Sequence, residues 1–415
     1  MHVCVIGAGV VGVASAYALA RAGHAVTLVD GNAAPAEGAS HANGGQLSYS
    51  YVAPLAGPGV LPQVPGWLLR HDSPLRFVPR LDPHQWRWAL AFVHACRASV
   101  ADATTAEMLR LAYLSRDVLH AWQAGAPFDF DHQRNGKLIA YRSPALLDKA
   151  RKLVAYQAQQ GSDQRVLDAG QTVALEPALR GMGATLAGAI HTPSEEVGDC
   201  ARYTQGLFDA LGALPGTRRL MRTAVHGLRV QGKRVHAVET AQGDVTADAY
   251  VVAAGMGSRA LLSPLGVDVP LYPLKGYSLT VDVAPGDDTA PAISVTDYER
   301  RIVYARIGQR LRIAAMVDMG VRDASIDPGR IALLKRQVSE AFPQLDLSAA
   351  RAWAGLRPAT PTGRPRIGQA PGHANLWMNL GQGALGFTLA CGSAVLLESL
   401  MAGRAPAIDP AAFRP

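Results

Sequence analysis

Apolar and polar positions along this chain switch between two periods, and each switch marks an element. HVCVI, residues 2–6, is a short apolar run of the kind a doubly buried strand shows, and residues 11–22 repeat apolar positions at helical spacing. AVTLV, residues 25–29, is a second such strand, closing on Asp30. Residues 49–97 carry prolines at 54, 58, 62, 65, 74, 79 and 83 and predict irregular structure. Helical periodicity returns over 105–123, 144–160, 202–212 and 329–342. Period-two alternation over 273–281 and 301–317 predicts sheet strands. Two further strand-like runs end on glycines: AYVVAAGMGS (249–258) and LWMNLGQGALGFTLACGS (376–393), the second leading into an apolar helix.

Nucleotide-type signals therefore stand at the start, near residue 250 and at the end, with strand-rich material between them. This predicts an α/β fold: a discontinuous nucleotide-binding domain with a substrate domain inserted in two pieces. A length of 415 residues suits two domains sharing one site. Apolar residues are 49% and charged residues 18%, the balance of a compact soluble enzyme. No stretch of about 18 residues escapes charges and turn-formers, so no spanning helix is expected. The first strand begins at residue 2, leaving no room for a signal peptide.

Cys4, Cys96, Cys200 and Cys391 form no CxxC pair and read as reduced, buried thiols of a cytosolic protein. The twelve histidines show no HxH or HExxH spacing, so no metal site is expected. Neither a GxSxG elbow nor a Walker loop occurs, which argues against hydrolase and NTPase classes. Net charge is +7, and Arg300, Arg301, Arg306, Arg310 and Arg312 crowd one segment. Hydrophobics interrupt them at strand spacing, which describes a solvated strand face better than a nucleic-acid groove. An anionic membrane surface is the better partner for the excess charge.

Gly7, Gly9 and Gly12 make a GxGxxG motif set between strand and helix. Gly7 allows the tight turn, Gly9 a close approach of a pyrophosphate, and Gly12 close packing of helix on strand. The helix points its positive end at the phosphates, and Asp30 is placed to accept hydrogen bonds from an adenosine ribose. The motif alone does not choose between NAD and FAD. GASHANGGQLS (38–48) adds short polar side chains beside glycines, where Ser40 and Asn43 can reach a second phosphate and the linker to a flavin ring.

Taken together, VIGAGVVGVASAYALARAGHAVTLVD, ANGGQLS with YVAPLAGPGV, VGDCARYTQGL, LYPLKGYSLT, WAGLRPATPTGRPRIG and NLGQGALGFTLACGSAVLLESLMAGRAPAI resemble the FAD-dependent D-amino acid oxidase superfamily. Within it, the chain is similar to the bacterial D-amino acid dehydrogenases. The resemblance runs from end to end. It implies a Rossmann-like FAD-binding domain (1–48, 195–272 and 352–415) and an inserted α+β substrate domain on an antiparallel sheet (49–194 and 273–351). It implies FAD contacts from Gly7, Gly9, Val10, Val11, Gly12, Asp30 and Gly31, and from Ser40, Asn43, Gly44, Gly45, Gln46 and Leu47. Val225, Ala254, Gly255, Gly381, Gln382, Gly383, Leu385, Gly386 and Thr388 complete that set. The last group lets backbone lie against the ring, with the helix from Thr388 aimed at its carbonyl end.

The chemistry implied is hydride transfer from substrate Cα to flavin N5, giving an imine that water hydrolyses to a 2-oxo acid and ammonia. Arg357 in GLRP resembles the carboxylate-binding arginine of related amine oxidases, and a planar guanidinium suits that task. Tyr298, Tyr304 and Tyr277 are the candidate hydroxyls, and no histidine is required as a base. The resembling dehydrogenases pass electrons to the respiratory chain, through a quinone-type acceptor. Trp67, Trp86 and Trp88 among the arginines of 67–97 suggest peripheral contact with the inner face of the cytoplasmic membrane. Gly381-Gln382-Gly383 and Gly386-Phe387 depart from the GHG and GW of that subgroup. Those departures keep a cyclic or secondary amine, such as D-hydroxyproline, proline, sarcosine or glycine, as the alternative substrate.

Overall fold

A computed structural model describes residues 1–64, 73–158 and 163–415. Its first sheet has six strands in the order 366–369, 376–380, 249–252, 2–6, 25–29, 217–220. All neighbours are parallel except 366–369, which runs against 376–380. The strands are apolar almost throughout because both faces are covered. On one face lie the helices Val10–Arg21, Ala98–Gly125, Cys200–Gly212 and Gly386–Met401, sharing one core. Small residues bring their axes close: a Cβ on Gly392 would sit 2.7 Å from the carbonyl oxygen of Leu111. The stretch Gly383–Met401 is long and apolar enough to cross a membrane. Here, however, Phe387, Leu389, Ala390, Leu396 and Leu397 are buried in this core. The opposite face packs on the hairpin Val225–Gln231/Arg234–Thr240 and on Leu261 and Leu262.

The second sheet has nine strands. Its path is 351–359, 272–282, 310–319, 302–307, 294–297, 137–141, 188–192, 165–168, with 75–77 also pairing 310–319. It is antiparallel except where 137–141 meets 294–297 and 75–77 meets 310–319. Helix Pro328–Ala341 covers one face, capped by Asp327, whose carboxylate accepts from the amides of Gly329 and Arg330. The other face turns toward the glycine-rich loops of the first sheet.

Three segments differ from expectation. Residues 83–95, within the stretch expected to be irregular, form a helix. Asp82 caps it by accepting from the His84 amide and Pro83 fills its first turn, a start signal hidden among the other prolines. The helix Ala98–Gly125, assigned to the substrate domain, buries Met108, Leu111, Leu119 and Trp122 in the core of the first sheet. The strand Arg351–Ala359, assigned from residue 352 to the FAD-binding domain, hydrogen-bonds along Tyr272–Thr280 and so belongs to the second sheet. Trp67 and the 159–160 end of the expected 144–160 helix lie outside the described residues.

All four cysteines are free and buried. Burial pushes the thiols of Cys4, Cys200 and Cys391 up to about 12. These three thiols are expected to resist an aromatic disulfide reagent at pH 8 until the chain is unfolded. Rapid labelling of the native protein at any of them would contradict this burial.

Candidate active site

At the first βα turn, Gly7 has φ +111° and a Cβ there would stand 2.5 Å from the Ala253 carbonyl oxygen. A Cβ on Gly12 would overlap the carbonyl of Gly7 itself. The helix can therefore approach the strand only without a side chain at position 12. The first intrahelical bond runs from the Val13 amide to Gly9, so the Val11 and Gly12 amides lie outside the helical ladder. Ser40 Oγ accepts from the Val10 amide at 3.1 Å and stands beside Gly9. Asp30 accepts from the amides of Ala8 (2.6 Å) and Asn32 (2.8 Å), tying the end of the second strand to the glycine turn. Gly31 lies against Ala224, next to Val225, and Ala254 and Gly255 follow the neighbouring strand beside Gly7.

The second loop lies flat on the second sheet. Gly44 touches Ala314 and Val303, and a Cβ on Gly45, where φ is +65°, would overlap Ile307. Ser278 Oγ donates to the Ala42 carbonyl (2.7 Å), and Arg312 Nη1 to that of Asn43 (3.0 Å). Asn43 Oδ1 itself accepts from the Gly45 amide at 3.0 Å. That side chain closes its own turn, where an outward reach to the phosphate linker was expected. Gln46 and Leu47 pair with Val197 and Glu196.

The two ends of the chain meet here. Gln382 Nε2 donates to Asn379 Oδ1 (2.6 Å), and Asn379 Nδ2 to Ser15 Oγ (2.9 Å) on the first helix. Gly381 and Gly383 have φ of +87° and +57°, which carry the backbone round this corner. Leu385 precedes the last helix, Gly386 opens it, and Thr388 Oγ1 donates to the Gln46 carbonyl at 3.4 Å. Gln382 is thus turned toward Asn379, and Phe387 packs against Tyr203 and Phe130. Both departures from the subgroup pattern have side chains directed into the core.

Strand alternation sorts the remaining candidates. Gly276, Ser278, Arg312, Ala314 and Val303 face the loop, and in register with them stand Gly355 and Trp353. Arg357 belongs to this face: its guanidinium lies over Gly276, where a Cβ would overlap it, and Nη1 donates to the Met316 carbonyl (3.1 Å). Among the described residues no carboxylate pairs with it. Burial lowers its affinity for the proton to about 10, which leaves it charged at neutral pH. It is a half-buried cation with open donors.

Tyr277 and Tyr304 are one residue out of phase and face the other way. Tyr277 Oη donates to buried Asp318 (2.9 Å), which also pairs with Arg76 and Arg330. Tyr304 is fully buried, edge-on to Phe342 at 4.8 Å, and its hydroxyl has no partner among the described residues. Neither hydroxyl reaches the loop face, which corrects the expectation for both. Tyr304→Phe is expected to hold kcat/KM within twofold and to keep or raise stability by up to about 1 kcal/mol, since it removes an unsatisfied buried hydroxyl. Urea unfolding and steady-state assays check this; a tenfold loss of kcat would return Tyr304 to the mechanism.

Tyr298 sits in the turn after strand 294–297, tilted against Tyr141 (4.8 Å) and under the guanidinium of Arg301 (4.9 Å). Sequence reasoning missed Tyr51, Tyr141 and Arg301, which gather around it, and Lys137, whose Nζ lies over the Tyr51 ring. Lys137 is 2% exposed, and burial draws its ammonium down to about 8. The sequence signal was a lone lysine opening the otherwise apolar run KLIAY. A further cluster lies at the domain junction: Glu196 accepts from His120 (2.7 Å), His132 (3.0 Å), Arg134 (3.2 Å) and Tyr49 (3.2 Å). Histidines with no metal-like spacing in the chain are thus brought to one carboxylate that their hydrogen bonds already occupy.

The model of the FAD dependent oxidoreductase family DAO matches residues 2–400. This chain belongs to that family. Its members are FAD-dependent, and the glycine cradle at 7, 12 and 45 together with the unpartnered, buried Gln46 Nε2 fits such a cofactor. The chain is 51% identical to "D-amino acid dehydrogenase 2" of Ralstonia nicotianae, covering 100% of this chain and 99% of that protein. The protein of the same name from Pseudomonas aeruginosa is also 51% identical, covering 100% and 98%. Among solved structures, glycine oxidase from Geobacillus kaustophilus has a TM-score of 0.78 at 21% identity, covering 99% and 97%. Iminodiacetate oxidase from Chelativorans sp. BNC1 gives 0.76 at 22%, covering 100% and 98%. At these identities the two structures establish the family's fold and no more.

Proposed function

We propose that this protein is an FAD-dependent D-amino acid dehydrogenase that converts D-amino acids to 2-oxo acids and ammonia. The observation that carries the reading is Arg357: a charged, half-buried guanidinium without an acidic partner among the described residues, on the face that meets the flavin-loop glycines. The names of the relatives at 51% identity support the substrate class. FAD is held at its ADP half by Gly7, Gly9, Val10, Val11, Gly12, Asp30, Gly31, Val225, Ala254 and Gly255. Ser40, Asn43, Gly44, Gly45, Gln46 and Leu47, with Gly381, Gln382, Gly383, Leu385, Gly386 and Thr388, hold the flavin half.

Arg357 grips the substrate carboxylate in a two-pronged ion pair and fixes which face of Cα is presented. Tyr298, packed against Tyr141 and beneath Arg301, is assigned to the side-chain end of the site. When bound, FAD supplies the two-electron acceptor that takes the Cα hydrogen as hydride. The amine must reach that step neutral, and water then adds to the released imine. Gln382 and Phe387, turned into the core, lend no support to a cyclic or N-alkylated amine in preference. Turnover of D-alanine with a dye acceptor, set against cis-4-hydroxy-D-proline and against oxygen, tests the reading. Exclusive use of the cyclic amine would replace it.

The electrons pass to a quinone-type acceptor of the respiratory chain, and the protein works in the cytoplasm at the inner membrane face. Supporting this, Leu81, Trp86, Leu90 and Val93 are exposed on and just before helix Pro83–Ala95, next to Arg87. Trp88, by contrast, is buried and donates to the Ala359 carbonyl at 2.9 Å. Flotation with anionic liposomes is expected for the native protein and to be weakened at least severalfold in Trp86→Ser/Leu90→Ser. Protein that stays at the bottom of the gradient removes the membrane contact.

A further inference from the structure

Lys137 begins the strand Lys137–Tyr141, and the groups in hydrogen-bond or ring contact with its ammonium come from one segment. Nζ donates to Gln46 Oε1 and Ser48 Oγ, both at 2.9 Å, and stands 4.3 Å from the ring centre of Tyr51. That segment directly follows the glycine loop. The Gln46 backbone in turn accepts from Thr388, so this residue lies where loop, last helix and second sheet meet.

An ammonium has three donors and no acceptor, so it selects the amide orientation in which Oε1 faces Lys137. The NH2 group then points away, and Nε2 is buried without a partner among the described residues. Nearby, Glu195 is 2% exposed. One of its oxygens accepts from the Ser50 amide and hydroxyl, and the other has no partner. Burial raises the proton affinity of Glu195 and lowers that of Lys137, while each charge favours the other. A neutral Lys137 amine could accept from Nε2, and the amide would lose its fixed sense.

We propose that Lys137 is a positioning residue of the flavin site, orienting the Gln46 amide so that Nε2–H is donated to an acceptor of the isoalloxazine ring. The inference rests on the flavin placement proposed above. In the FAD-loaded full-length enzyme, Lys137→Met is expected to weaken FAD binding about five- to tenfold, the worth of one such bond. It should also lower the flavin reduction potential and remove a step in the visible spectrum that the native enzyme is expected to show between pH 7 and 9. Gln46→Leu should do the same, and the double variant should be no worse than either single one.

If Gln46→Leu changes the flavin and Lys137→Met does not, or if their effects add, the positioning role is overturned while the placement stands. If neither changes potential or spectrum, the placement itself fails. Should Lys137→Met not fold, the pH step decides: its persistence in Gln46→Leu would overturn the proposal, and its loss supports it.

Discussion

Arg357→Met is expected to lower kcat/KM about 1,000-fold while leaving the folded protein as stable as before, or more so. The first half follows from losing a two-pronged grip on a carboxylate in a dry site, a loss on the order of 4 kcal/mol in transition-state stabilisation. The second half follows from its surroundings. The guanidinium is half-buried, has no acidic partner among the described residues, and donates to a single backbone carbonyl. A cation held this way costs the fold stability that an apolar side chain of similar length restores. Arg357→Lys keeps the charge and loses the fork, so it should recover only part of the activity. Activity and thermal unfolding measured on the same preparations separate this from a structural role. A variant that loses both together would make Arg357 a packing residue.

Gly12→Ala is expected to give a colourless protein, destabilised by about 3 kcal/mol. The added methyl would enter the carbonyl of Gly7, so two backbone segments would have to part with no side chain able to yield. Gly386→Ala provides the contrast. Its Cβ meets no protein atom within 4 Å and its φ is helical at −52°, so the fold should be unaffected. Any loss of FAD affinity there would report the cofactor alone. Absorbance near 450 nm and denaturant unfolding distinguish the two cases; a yellow, stable Gly12→Ala protein would show that the turn can widen.

Much of the nucleotide half was legible because its constraints are local. A strand, three glycines, a helix and an acidic residue within 30 positions leave one arrangement of backbone, and the structure has it, down to Gly12 beneath Gly7. The larger sheet was legible as strands but not as faces. Tyr272–Asp282 is buried on both sides, so period two identifies which residues share a face without saying which face meets the loop. That is why Tyr277 and Tyr304 could be nominated and yet point into the core, while Gly276, with no side chain to notice, makes room for Arg357.

Sequence by itself determined the strands and helices around the glycine turn. Those follow from neighbours along the chain. Only the tertiary structure decided that helix Ala98–Gly125 completes the first core, that Lys137 holds Gln46, and that His120 and His132 close on Glu196. Each joins residues separated by 64 to 91 positions or more, as with Lys137 and Gln46, 91 apart, and His132 and Glu196, 64 apart. What brings them together is the burial of whole apolar faces, which no local pattern encodes.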